Sequence, residues 1–128
     1  MKTFFKKKRT FKVINGKQTL VIKQIGKIFL KNDEQITFVI SKKKKNELDF
    51  VRKDWGFYPF PSINKRLKFF GFKVCLTFNS LQDKFNILVV EKKKIKKFLK
   101  YTRVQNMQII LWLDDIMLKR LLSYKKNK

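Results

Sequence analysis

The chain of 128 residues contains no histidine. That removes the commonest general base and the commonest transition-metal ligand. A single cysteine, Cys75, rules out an internal disulfide, a CxxC pair and a Cys–His zinc site. Within the apolar run "VCLTF" it reads as a small buried core residue, in a reducing compartment. Glycine occurs only at Gly16, Gly26, Gly56 and Gly71. Each stands alone, so there is no GxGxxG, GxxxxGK[ST] or GxSxG motif and no phosphate-cradling loop. No apolar run approaches the roughly 18 residues of a spanning helix; the longest, "FNILVV" and "MQIILWL", are strand-sized. The start "MKTFFKKKRTFKV" has neither the apolar stretch nor the small-residue cleavage site of a signal peptide. The expected location is the cytoplasm or an organellar matrix.

Acidic residues are scarce as well. Nine Asp and Glu face 33 Lys and Arg, for a net charge of +24. Such a chain attracts polyanions over a Debye length of about 8 Å at physiological salt. An AT-rich genome also enriches Lys, Asn, Ile and Phe, but it encodes Glu as cheaply, and Glu stays rare. The charge is therefore more than mutational drift. The carboxylates offer little chemistry. Asp33-Glu34 falls in a turn and Asp114-Asp115 opens a helix, which is turn and capping usage. Glu47 and Asp49, two apart on a strand, share a face beside the Lys42–Lys45 run. No metal site and no cofactor are expected, and the protein is expected not to be an enzyme.

Apolar residues amount to 44%, enough for a real core. Residues 1–10 read as a basic arm and 125–128 as a basic tail, flanking one α+β domain over 11–124 with a β-rich half (11–52) and an α/β half (53–124). In the first half, "FKVIN" and "QTLVIKQ" flank the hairpin signal at Asn15-Gly16. "KIFLK", the turn "NDE", "QITFVIS" and "ELDFVR" complete an antiparallel meander. In the second half, Ser62 as N-cap, Ile63, Leu67 and Phe70 at helical spacing and Gly71 as stop predict a helix over about 62–70. "FKVCLTF" and "KFNILVVE" follow as strands. "EKKKIKKFLKYTRVQ" is a basic amphipathic helix with Ile95, Phe98, Leu99 and Thr102 on one face. "MQIILWL" is a strand, and Asp114 or Asp115 caps a last helix with the stripe Met117, Leu118, Leu121 and Leu122. Starting from "ELDFVR", the order is β-α-β-β-α-β, the split βαβ or ferredoxin-like pattern, followed by a C-terminal helix.

The strongest constellation is cations with aromatic rings between them. Cations meet phosphates, and rings offer faces for bases at about 1–3 kcal/mol per stacked base. Around "RKDWGFYPFPSINKRLKFFGFK" the candidates are Arg52, Lys53, Trp55, Tyr58, Lys65, Arg66 and Lys68. A second set, Lys92, Lys93, Lys96, Lys97 and Lys100, lines the basic helix, where uncompensated lysines repel at i, i+3 and i+4 and a bound polyanion relieves the cost. The bland alternative is that the rings cover a sheet end while the cations snorkel. The chain is expected to be a small non-catalytic RNA-binding protein of ribosomal-protein character, placed by charge and shape. RNA or another polyanion is the expected partner, and the arms suit further protein partners in a larger assembly.

The stretches "RKDWGFYPFPSINKRLKFFGFKVCLTFN", "FNILVVEKKKIKKFLKY" and "IILWLDD" also resemble small uncharacterised bacterial proteins found near surface-polysaccharide biosynthesis genes, over residues 47–115. The resemblance rests on Trp55-Gly56-Phe57, Pro61-Ser62-Ile63-Asn64 and Leu67-Lys68. It departs at Phe60, where a small residue is expected, and in its higher basicity. It implies no catalytic role. It implies an alternative, an accessory protein of glycan assembly whose rings stack on sugars.

Overall fold

A computed structural model of the protein describes residues 2–4, 9–15, 18–42, 46–59 and 62–127, with side-chain environments from residue 21 onward. The chain divides into two compact units, Met1–Pro61 and Ser62–Lys128.

The first unit is built of antiparallel strands. β1 (Lys2–Phe4) pairs with β4 (Lys27–Phe29). β2 (Arg9–Asn15) and β3 (Gln18–Gln24) pair without slippage from Arg9↔Gln24 to Asn15↔Gln18. That register leaves a two-residue connection where Asn15-Gly16 signalled a hairpin; the connection itself lies outside the described residues. β5 (Gln35–Val39), β6 (Glu47–Lys53) and β7 (Gly56–Pro59) form a three-stranded sheet with β6 in the centre. The expected turn before β5 is present. Asp33 adopts φ 66°, a left-handed conformation that Asp tolerates. Its amide donates to the Arg52 carbonyl at 2.7 Å, and the Arg52 amide donates to the Glu34 carbonyl at 2.9 Å. β6 and β7 close on Asp54-Trp55, with Lys53 paired to Gly56. Gly56 has φ 144°, which only glycine adopts without strain.

The second unit comprises α1 (Arg66–Phe69), β8 (Phe72–Asn79), β9 (Lys84–Glu91), a 3₁₀ turn (Lys92–Lys94), α2 (Ile95–Val104), β10 (Met107–Trp112) and α3 (Asp115–Lys126). Its sheet runs β10-β8-β9, all antiparallel neighbours. β9 and β10 are therefore parallel to each other across β8, and α2 connects them, which is the split βαβ arrangement. The α+β class, the strand-rich start and the C-terminal helix agree with the sequence. One placement differs in detail: "ELDFVR" is β6 and pairs with β5 and β7 rather than joining this sheet. Its two hairpin partners lie close in sequence, so their loops close at small entropic cost, whereas the β8 sheet would have required a longer connection.

β8 is the most buried strand: Phe72, Val74, Cys75, Thr77 and Asn79 are all buried, as a central strand covered on both faces requires. Side chains at 73, 75, 77 and 79 share the face toward α2. There Phe98 meets Trp112 edge-on at 5.7 Å, and the Asn79 amide group donates to the Gln105 carbonyl at 3.0 Å. Asn79 Oδ1 accepts in turn from the amides of Leu81 and Gln82. Cys75 is fully buried, as expected, and burial raises its thiol pKa above the ordinary value.

Two helices depart from the sequence expectation. α1 has one turn only; Ser62 lies ahead of it, its hydroxyl accepting from the Arg66 amide at 3.1 Å. Leu67 is fully buried beneath it, and Gly71 ends it with φ 84°. α3 is capped by Asp114, which accepts from the Met117 amide at 2.9 Å. Its apolar stripe is only partly covered: Met117 and Leu118 are half-buried, while Leu121 and Leu122 are exposed.

Candidate nucleic-acid interface

The candidate cations fall into three groups, one in the first unit and two in the second. In the first unit Arg52, Lys53, Trp55 and Tyr58 sit on the β6–β7 hairpin. Trp55 is at its tip and 67% exposed; Tyr58 on β7 is 51% exposed. The two cations are engaged by their own chain. Arg52 donates to the Gly56 carbonyl at 3.1 Å and lies 5.7 Å from the Phe57 ring centroid. Lys53 pairs with Asp33 at 2.5 Å, and that hydrogen bond raises its pKa. Arg52 therefore braces the hairpin, Lys53 ties β6 to the turn before β5, and the exposed rings are the hairpin's outward feature.

In the second unit Lys65, Arg66 and Lys68 belong to the turn and helix of α1. Arg66 lies 5.0 Å from the Phe70 ring centroid. Lys68 pairs with Asp115 at 2.6 Å, a partner 47 residues away that the sequence did not suggest. The Lys68 hydrogen bond holds the Asp115 carboxyl below its ordinary pKa.

The third group is the densest. Lys92, Lys93, Lys96, Lys97 and Lys100 are all exposed, because α2 turns Thr102 and the flanks of Ile95 and Phe98 to the sheet. Two further cations complete this surface and were missed in the sequence. Arg103 is exposed one turn beyond Lys100, and extending the same helical period by one turn would have found it. Lys94, in the 3₁₀ turn, pairs with Glu91 at 3.3 Å. α2 itself carries no carboxylate, so Glu91 at its foot is the acid nearest in sequence.

Among the described residues no group of His, Cys, Asp or Glu could hold a metal ion, and no helix is long and apolar enough to cross a membrane. The described part of the first unit does hold one hydroxyl–carboxylate pair. The Thr37 hydroxyl donates to Asp49 at 2.7 Å across the β5–β6 ladder, and Asp49 is buried.

Residues 3–64 match the family described as Potyvirus P1 protease, a stretch of just under half the chain that takes in nearly all of the first unit. No curated protein and no solved structure matches. The family match corrects two expectations. The similarity found is to a viral protease family and not to bacterial proteins of polysaccharide loci. It also points to an enzyme family, against the expectation of a non-catalytic protein. The likeness lies in a β-rich segment, whereas charge and composition are properties of the whole chain and do not carry it.

Proposed function

We propose that the protein binds RNA through the cationic surface of α2 and the 3₁₀ turn before it. The observation that carries this is the run of exposed cations Lys92 and Lys93 on the 3₁₀ turn and Lys96, Lys97, Lys100 and Arg103 on α2, which has no carboxylate. Like charges at i, i+3 and i+4 cost a few tenths of a kcal/mol per pair in the free helix. A phosphate backbone removes that cost and releases condensed counterions. The exposed rings of Trp55 and Tyr58 are suited to stacking on unpaired bases, a second contact in a chain that is basic in both units. The test is binding of a structured RNA across a salt series, for the native chain and for variants of the α2 lysines. Affinity and salt slope unchanged by those variants would refute the assignment.

The family match favours a second function, peptide-bond hydrolysis by the first unit. With no histidine in the chain, Asp49 is the base within reach of the Thr37 hydroxyl. Cleavage of an unstructured protein substrate that is lost in Thr37→Val, with the fold retained by circular dichroism, would support it. Equal cleavage by both proteins would exclude Thr37 as the nucleophile.

A further inference from the structure

The second unit contains a cleft of about 600 Å³ between the start of β8, the end of β10 and the N-terminal turn of α3. That volume lies within the range of small-molecule sites. Its walls are Ile63, Phe72, Val74, Ile95, Leu113 and Ile116. Phe72 and Val74 are nearly inaccessible and form a floor, while Ile116 is 66% exposed at the mouth. Lys68, Lys73, Lys92, Asp114 and Asp115 supply the charge.

The two carboxylates are already committed. Asp115 pairs with Lys68, and Asp114 accepts from the Met117 amide as the cap of α3. Two cations remain. The Lys73 ammonium lies 4.6 Å from the Trp112 ring centroid. Lys92 is anchored by its own amide, which donates to the Gly71 carbonyl at 2.9 Å. Three lysines against two carboxylates leave this lining one positive charge in excess, and an apolar floor beneath it is complementary to a molecule with an aliphatic body and one anionic head. We propose that this cleft binds a small aliphatic anion, its chain against Phe72, Val74 and Leu113 and its head group at Lys73 and Lys92. The site shares Lys92 with the proposed RNA surface but none of its other cations, and its apolar walls serve no phosphate backbone.

Decanoate, below its micelle concentration, and uncharged decanol are the probes, titrated into the full chain by calorimetry, with amide shifts recorded by NMR. The expected result is one saturable decanoate site, about tenfold tighter than decanol, with the largest shifts at Gly71, Val74 and Leu113. Ile116→Trp, which fills the mouth from an exposed position, should weaken decanoate by about tenfold or more. Lys73→Gln/Lys92→Gln should erase the preference over decanol, and Lys96→Gln/Lys97→Gln, which should weaken RNA binding, should leave decanoate affinity unchanged. Three results would each overturn the proposal: no saturable binding, shifts spread over α2 instead of the cleft, or an equal loss in the Lys96/Lys97 variant. The NMR map keeps the test decisive even if a substitution disturbs folding.

Discussion

Replacing Lys93, Lys96, Lys97 and Lys100 by Gln tests the RNA surface most directly. All four side chains are exposed; Lys93 lies on the 3₁₀ turn and the other three on α2, which has no carboxylate. Each phosphate contact on a single strand contributes about 0.7 to the slope of log affinity against log salt. Four contacts contribute about 2.8. Between 50 and 200 mM salt, a slope of that size corresponds to about a fifty-fold loss of affinity. The quadruple variant should therefore bind weakly at low salt and lose about fifty-fold less than the native chain over that interval. A control variant carries Gln at Lys84, Lys119, Lys125 and Lys126, exposed positions outside α2 and its 3₁₀ turn. It lowers the net charge by the same four units and should keep most of the native slope. Unfolding cannot mimic the expected result. Removing the Lys96–Lys100, Lys97–Lys100 and Lys100–Arg103 repulsions should stabilise α2 by about 1 kcal/mol in all, so the melting temperature should hold or rise by a few degrees. The assay is fluorescence anisotropy with a labelled RNA at five salt concentrations. Identical slopes for the two quadruple variants would mean that total charge, and not this surface, drives binding.

Two further outcomes concern the second unit. Asn79→Leu leaves the Gln105 carbonyl and the Leu81 and Gln82 amides without their side-chain partner at a buried site. At about 1–3 kcal/mol for an orphaned buried group, a loss of at least about 2 kcal/mol is expected in urea denaturation; a change below about 0.5 kcal/mol would refute the role assigned to Asn79. The Lys68–Asp115 pair predicts a pH dependence. Its carboxyl is held below the ordinary Asp value. Its stabilisation is therefore present above about pH 4 and disappears as pH falls through the lowered folded-state value. Lys68→Met should be less stable than the native chain at neutral pH, with the gap closing in acid. A gap independent of pH would show that the pair contributes packing alone.

The sequence by itself determined what is local. Asn15-Gly16 signalled the pairing of β2 with β3, whose register runs from Arg9↔Gln24 to Asn15↔Gln18. Gly71 stopped α1 and Asp114 capped α3, because each acts on backbone groups within a few residues. The period of 3.6 placed the α2 lysines on one exposed side, since the apolar stripe had to face a sheet. The absence of histidine and the single cysteine bounded the chemistry in the same way. Tertiary structure decided what depends on distant pairing. β6 joined β5 and β7 because short loops close more cheaply than long ones, and no pattern within β6 records that choice. Lys68 met Asp115 across 47 residues in an exposed ion pair that no local pattern records. The cleft over Phe72 and Val74 exists because β8, β10 and α3 leave space between them, and its volume is a property of their packing. Arg52 and Lys53, equivalent to the other cations in sequence, found partners in Gly56 and Phe57 of the same hairpin and in Asp33 of the turn before β5. A cation's role depends on whether a neighbour in space neutralises it, and that neighbour is set by the fold.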